Sequence, residues 1–228
     1  MTRILVICDD LWHPAEIIQK GICLLNKKNF QFDIISAAKD ILTPELLKQY
    51  PAIIGCKGNH YTASNTAPWF EEGVTEVGPR QLREYVEHGG AYLSIHAGNS
   101  FSENSCPAES RFLTPCREYM EFIGNQFIGH PPRCPVDIHV THPDHPIMNG
   151  ITDFTVRDEH YQLELLASDI IPLFETSSVN GGTQPGGYVR KLGKGKLCVL
   201  TPGHTLSVWE HESFQQIICN ALAWCLAL

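Results

Sequence analysis

The sequence predicts an α/β domain whose mainly parallel sheet is covered by helices on both faces. Two observations carry that prediction. Short, wholly apolar runs of strand length alternate with amphipathic runs of helical spacing along the chain, and strands buried on both faces read as unbroken apolar runs. Apolar residues make up 43% of the 228, enough for an ordinary core. No Ser/Pro-rich linker divides them, so residues 1–228 are expected to form one domain.

Residues 3–8 are the first predicted strand, an apolar run that ends in the polar pair Asp9-Asp10. After His13-Pro14, residues 15–25 carry Ile17, Ile18, Ile22 and Leu25 at helical spacing. Strands are expected at 30–36 and 52–56, and Thr43-Pro44-Glu45 reads as a helix start with proline at the first helical position. Residues 57–78 form a long loop with His60, Tyr61, Trp69 and Phe70, and loops of that length are usually functional. Pro79 opens a helix through Leu82, Tyr85 and Val86 that Gly89-Gly90 ends, with His88 at the last carbonyls. A fourth buried strand at 91–95 runs straight into His96-Ala97-Gly98. The second half is richer in strand signals, at 136–141, 154–156, 170–175, 187–190 and 197–201, with a turn-rich stretch at 143–150. Residues 212–226 form the closing helix, with Phe214, Ile217, Ile218, Ala221, Leu222 and Cys225 on one side.

Charge and cysteine usage exclude several function classes. The formal net charge is −8 and the 17 basic residues are scattered singly, whereas nucleic acid or an anionic membrane needs a clustered basic surface. The cysteine count is nine, which does not pair evenly. Cys8, Cys23, Cys56, Cys198, Cys219 and Cys225 fall on apolar strand or helix faces, as free thiols that pack like small hydrophobes do. Cys106, Cys116 and Cys134 lack the paired spacing of a zinc ribbon. The N-terminal residues do not read as a signal peptide and no apolar run reaches membrane-spanning length. A cytoplasmic, reduced protein is expected.

In open parallel sheets ligands bind outside the carboxyl ends of the strands. That rule selects Asp9, Asp10 and His13 after the first strand, and Lys57, Asn59 and His60 after the third. It selects His96 after the fourth and His204 after the last. A strand that enters His-Ala-Gly suggests a tight turn presenting one side chain, the position where hydrolases and amidotransferases carry a Ser or Cys nucleophile. An imidazole there permits general acid/base work or metal ligation, or simply satisfies backbone groups. Asp158-Glu159-His160-Tyr161 offers carboxylates, an imidazole and a phenol, and in extended backbone Glu159 and Tyr161 share one face. His130 and His204 each follow a glycine, which lets backbone or ligand approach closely. His139, His142 and His145 alternate with turn residues and are expected at the surface. A divalent metal is compatible with His96, His130, His204 and Glu159, although no local metal motif such as H-E-x-x-H is present.

Taken in order, these segments resemble the ThuA-like (trehalose-utilisation) family. The run Gly89-Gly90-Ala91-Tyr92-Leu93-Ser94-Ile95-His96-Ala97 resembles its "GGG-hydrophobic-IHA" segment, and Phe127-Ile128-Gly129-His130-Pro131 its "F-x-x-HP". His145-Pro146-Ile147-Met148-Asn149-Gly150 resembles "HP-hydrophobic-x-G", and Asp158-Glu159-His160-Tyr161 resembles "DE-x-Y". Gly193-Lys194-Gly195-Lys196, Gly203-His204-Thr205, Trp209, Phe214 and Asn220-Ala221-Leu222-Ala223-Trp224 follow the C-terminal block. The resemblance implies a flavodoxin-like fold related to class I glutamine amidotransferases, without their cysteine nucleophile. It also implies a role in carbohydrate metabolism, beside dehydrogenases that oxidise glycosides at carbon 3. Residues 98–119, the long loop 57–78 and Gly186-Gly187-Tyr188 depart from the family pattern and are expected to line the pocket.

The leading expectation is an enzyme acting on a sugar or 3-keto-glycoside, with His96, Glu159, His130 and His204 catalytic. Asp158, Tyr161, Asp9, His13 and His60 would bind substrate. The alternatives are a non-catalytic sugar-binding protein, in which Trp12, Trp69 or Trp209 would stack the ligand, and a metal-dependent hydrolase using the same pocket. The partner is a small carbohydrate, and apolar residues near the closing helix would permit a homo-oligomer.

Overall fold

The structure is a computed structural model that describes residues 1–10, 12–25, 29–36, 41–58, 77–102 and 114–228. Its frame is a nine-stranded mixed sheet. The parallel half is built from β1 (Thr2–Ile7), β2 (Phe30–Ile35), β3 (Ala52–Gly55), β4 (Ala91–Ile95) and β11 (Gly195–Leu200), in the order β2-β1-β3-β4-β11. That arrangement is the 2-1-3-4-5 order of flavodoxin-like folds, with the direction of winding reversing beside β1. The sheet then continues through β10 (Gly182–Leu192), β9 (Ile171–Ser178), β6 (Cys134–Val140) and β7 (Phe154–Asp158), all antiparallel to their neighbours.

Helices cover both faces of the parallel half, as expected. Strand side chains alternate, so Ile4, Val6 and Cys8 of β1 and its exit pack with Ile18 and Ile22 of α1 (Ala15–Leu24). Val208 and Trp209 of α5 (Leu206–Glu210) and Phe214 and Ile217 of α6 (Glu212–Leu226) belong to the same cluster. Leu5 and Ile7 face the other side, towards Leu47 of α2 (Pro44–Leu47), Leu82 and Val86 of α3 (Pro79–Glu87), and Phe122 of α4 (Arg117–Ile123). Thr43 caps α2 by accepting from the Leu46 N–H at 3.2 Å, with Pro44 at the first helical position.

Some elements differ from expectation. Helices α4 and α5 and the small antiparallel pair β5 (Asn125–Gly129) and β8 (Gln162–Leu165) were not anticipated. Cys23 is exposed, on the outer side of α1, not on its packed face. His145 is half-buried: its Nδ1 accepts from the Ile147 N–H at 3.2 Å and its ring lies 5.2 Å from that of Trp224. Gly186 and Gly187 pack beneath the Phe174 ring and Tyr188 is buried, donating to the Ile123 carbonyl at 2.9 Å. That segment therefore belongs to the core and is not among the residues that line the cavity beside His96.

Candidate active site

The candidate site assembles at the carboxyl ends of β1, β4, β7 and β11. His96 follows β4 directly and sits in a 3-10 turn, His96–Asn99, with φ of +46°. A side chain with a Cβ rarely occupies that left-handed region, and such a conformation persists only where surrounding structure enforces it. Two residues of the turn enforce it here. Asn99 donates to the Leu200 carbonyl at 2.8 Å and its Oδ1 receives the Ser94 hydroxyl at 2.5 Å. Gly98 lies so close to the Gly55 carbonyl that a Cβ would overlap it. The sharp turn expected at His96 is therefore present, with an imidazole where a nucleophile would stand in an acyl-transfer enzyme. Cys56 lies beside this turn, and burial pushes its thiol well above the ordinary range.

Hydrogen bonds set the imidazole tautomers. His96 Nδ1 donates to the Thr201 carbonyl at 2.9 Å, which leaves Nε2 with its lone pair. Burial lowers the His96 pKa, so the ring is neutral near pH 7. His13 Nδ1 donates to Asp10 Oδ1 at 2.8 Å, and its Nε2 then faces the Tyr161 hydroxyl at 3.4 Å. Burial opposes charge on His13, but Asp10 outweighs it and raises the pKa. Asp10 is itself held by the Gly58 N–H at 2.6 Å.

Glu159 stands at the centre. Its Oε2 lies 3.5 Å from His96 Nε2, 3.2 Å from His204 Nδ1 and 3.5 Å from His130 Nε2. Burial pushes this carboxyl up, but the close approach of the His204 and His96 rings outweighs it and holds it far below the usual range. Asp158 fixes the segment: its carboxylate accepts from the backbone N–H groups of Gly203 (2.7 Å), His204 and Thr205 (both 3.1 Å). The same contact seats His204. Gly203 has φ of +141° and lies against Ile95 and the His96 Cβ, so glycine is required there. Tyr161 is buried with its ring 4.0 Å from that of His96, while His160 turns the other way towards Ser178 and Thr176.

His13 Nε2, His96 Nε2 and His204 Nδ1 gather with a Glu159 oxygen. One ligand atom from each of these four residues lies within 4.8 Å of the others. His96 Nε2 and His204 Nδ1 are buried without a hydrogen-bond partner among the described residues. Buried nitrogen lone pairs beside a carboxylate repel one another unless a cation lies between them. Three imidazoles and one carboxylate suit a divalent transition metal. Asp10 and the Thr201 carbonyl provide the outer hydrogen bonds that orient metal-binding imidazoles.

The expected residues therefore fall into several places. His96, Glu159 and His204 come together with His13, which stands where the ligand set had been expected to contain His130. His130 lies on the solvent side of Glu159, with its side chain 34% exposed and Nδ1 donating to the Pro131 carbonyl at 3.0 Å. Tyr161 and Asp158 border the site. Asp9 does not face it: Oδ1 accepts from the Ala15 N–H at 3.1 Å, at the start of α1. His60, Asn59, Tyr61, Trp69 and Cys106 lie outside the described residues, as does most of the loop expected at 57–78. Trp209 is fully buried and donates to the Gly203 carbonyl at 2.9 Å, so it supports the turn and cannot stack a ligand. Asp10 falls at the expected rim with no role expected of it there; its spacing to His13, three residues on, is the signal in the sequence.

The ThuA family, described as trehalose utilisation, matches residues 4–225 of this sequence. The chain belongs to the ThuA family. Solved structures agree with that membership at the level of fold. A ThuA-like protein of Bacteroides uniformis superposes with a TM-score of 0.72 at 20% identity, covering 98% of this ThuA chain and 91% of its own. A cytoplasmic protein of Salmonella typhimurium superposes at 0.62 and 17% identity, covering 99% and 98%. The β-galactosidase of Bacillus circulans superposes at 0.60 and 14% identity, and there the ThuA chain spans only 31% of the longer protein. No curated protein matches the sequence. Family membership gives this chain a carbohydrate-related role. Among the described residues no helix is long and apolar enough to cross a membrane.

Proposed function

We propose that this ThuA protein is a metal-dependent enzyme that processes a sugar or 3-keto-glycoside in the cytoplasm. The observation that carries the reading is the gathering of His13 Nε2, His96 Nε2, His204 Nδ1 and Glu159, with two of those nitrogens buried and unpartnered. The family description as trehalose utilisation supports the substrate class. The cytoplasmic Salmonella relative supports the location.

A bound divalent cation would polarise a carbonyl or hydroxyl oxygen of the sugar. His13, His96, His204 and Glu159 would hold it, with Asp10 and Thr201 keeping the two imidazoles in the required tautomer. His130 then has a separate task. It is exposed, reaches the outer side of Glu159, and can exchange protons with solvent, so it serves as the general acid or base. A ketone at carbon 3 acidifies the carbon-2 C–H bond, so transfer of that proton to His130 leaves an enolate that breaks the carbon-1–oxygen bond; the alcohol departs after regaining a proton, and no covalent enzyme intermediate forms. Tyr161, with its hydroxyl towards His13, orients the substrate oxygen.

The test is reconstitution with zinc or manganese, measurement of bound metal, and NMR of carbon-3 keto-glycosides with the loaded protein. One metal per chain is expected, along with conversion that a chelator and His96→Ala both abolish. His130→Ala should keep the metal and lose turnover by about 10²–10⁴-fold. Conversion that survives metal removal would overturn the metal reading. Metal binding without conversion of any sugar would overturn the enzymatic one.

A further inference from the structure

A cavity of about 60 Å³ opens beside the histidine cluster and is lined by Trp12, His13, His96 and His204 together with apolar residues of α1. Of the exposed large apolar side chains among the described residues, Trp12 alone lines it, at 53% exposure. Its position is anchored. The Trp12 backbone N–H donates to Asp10 Oδ1 at 2.8 Å, and the same oxygen receives His13 Nδ1 at 2.8 Å. One buried carboxylate thus fixes the Trp12 backbone and the His13 imidazole.

An exposed indole carries a large flat apolar face, and its burial by a ligand is favourable in proportion to the area covered. Binding sites that combine such a face with a few convergent polar groups suit amphipathic ligands. A pyranoside is one: axial C–H bonds make its ring face apolar, while its edge carries oxygens. We propose that Trp12 is a stacking platform for the C–H face of a pyranoside, holding the oxygen-bearing edge towards His13, His96, His204 and Glu159. This rests on the carbohydrate reading above and narrows it. Sugars with equatorial substituents, whose ring faces are flat, fit the platform, and open-chain polyols do not. Trp209 offers no alternative face because it is buried, and Trp224 lies on α6 with Lys196 Nζ 4.5 Å from its ring centroid.

The experiment is calorimetric titration of the zinc-loaded protein with methyl glucopyranoside, its 3-keto derivative and the open-chain glucitol. Trp12→Ala is expected to weaken binding of both glycosides about tenfold, and Trp12→Phe about threefold or less. Zinc stoichiometry should be unchanged in both variants, and any glucitol affinity should be indifferent to the substitution. Glycoside affinity within twofold of wild type in Trp12→Ala would overturn the platform, as would failure of the wild type to bind either glycoside. Binding that depends on Trp12 without conversion would sink the enzymatic reading and leave the platform standing. Conversion with Trp12 neutral would do the reverse.

Discussion

At the residue scale, the central question is what keeps three imidazoles pointing inward beside a carboxylate. Asp10 answers it for His13: its Oδ1 receives the His13 ring and the backbone N–H groups of Trp12 and His13, each at 2.8 Å, and Oδ2 receives the Gly58 N–H. The aspartate is almost fully buried. Burial alone would raise its pKa, but His13 and the backbone donors outweigh that and lower it. Asp10→Asn must turn an amide N–H towards one of these donors, and His13 loses the anionic acceptor that sets its tautomer. Outer hydrogen-bond partners of this kind are worth about 10–100-fold in metal affinity. Asp10→Asn is therefore expected to weaken zinc binding by that factor, with a folded protein by circular dichroism. Competition with a chromophoric chelator measures it, and wild-type affinity in the variant would remove Asp10 from the site. His96 was legible because a buried strand runs directly into it. His13 is harder to read, since the groups it meets, His96, Glu159 and His204, lie far along the chain.

At the element scale, the strands of the parallel half were the most legible part. Each is an apolar run bounded by turn residues, and β4 and α6 have the bounds expected for them. Elements that were missed share a physical reason. Helices α4 and α5 have 7 and 5 residues, and β8 has 4, too few turns or alternations for a periodicity to stand out. The couplings that matter most for the site are contacts between elements. Gly98, in the turn after β4, packs against the Gly55 carbonyl at the end of β3 and near the Ser94 hydroxyl. An added methyl must push backbone apart, and overpacking of this kind costs roughly 1–3 kcal/mol. Gly98→Ala should lower the denaturation midpoint accordingly, and it should also disturb His96 because the same turn carries both. A variant with wild-type stability and unchanged zinc affinity would show that the turn tolerates what its packing forbids.

At the scale of the whole molecule, the site exists only because the topology gathers residues 10, 13, 96, 159 and 204 at the carboxyl ends of the strands. Sequence order puts Asp10, His13, His96 and His204 at strand ends but cannot say which histidines converge on Glu159, and so His130 is expected where His13 stands. The same gathering buries charge where the winding direction reverses, and this makes stability depend on pH. Lys57 follows β3, is 9% exposed, and donates to the Asp9 carbonyl at 2.9 Å. Burial lowers its pKa from 10.5 to about 8, against the raising influence of Asp10 and Asp9. Between those two values the unfolded chain holds a proton that the folded chain has released. Folding stability therefore gains with rising pH across that window, by up to roughly 3 kcal/mol for this group. Cys8 acts in the opposite sense. Burial pushes its thiol up to about 12, so the unfolded chain ionises first and stability falls as pH rises above about 9. The two contributions oppose each other in the wild type, and substitution separates them. Urea denaturation of Lys57→Met from pH 7 to 10.5 should lose the favourable slope, so that its stability relative to wild type declines steadily above pH 8. Parallel curves for the two proteins would mean that Lys57 keeps its ordinary pKa and that water reaches it within the fold.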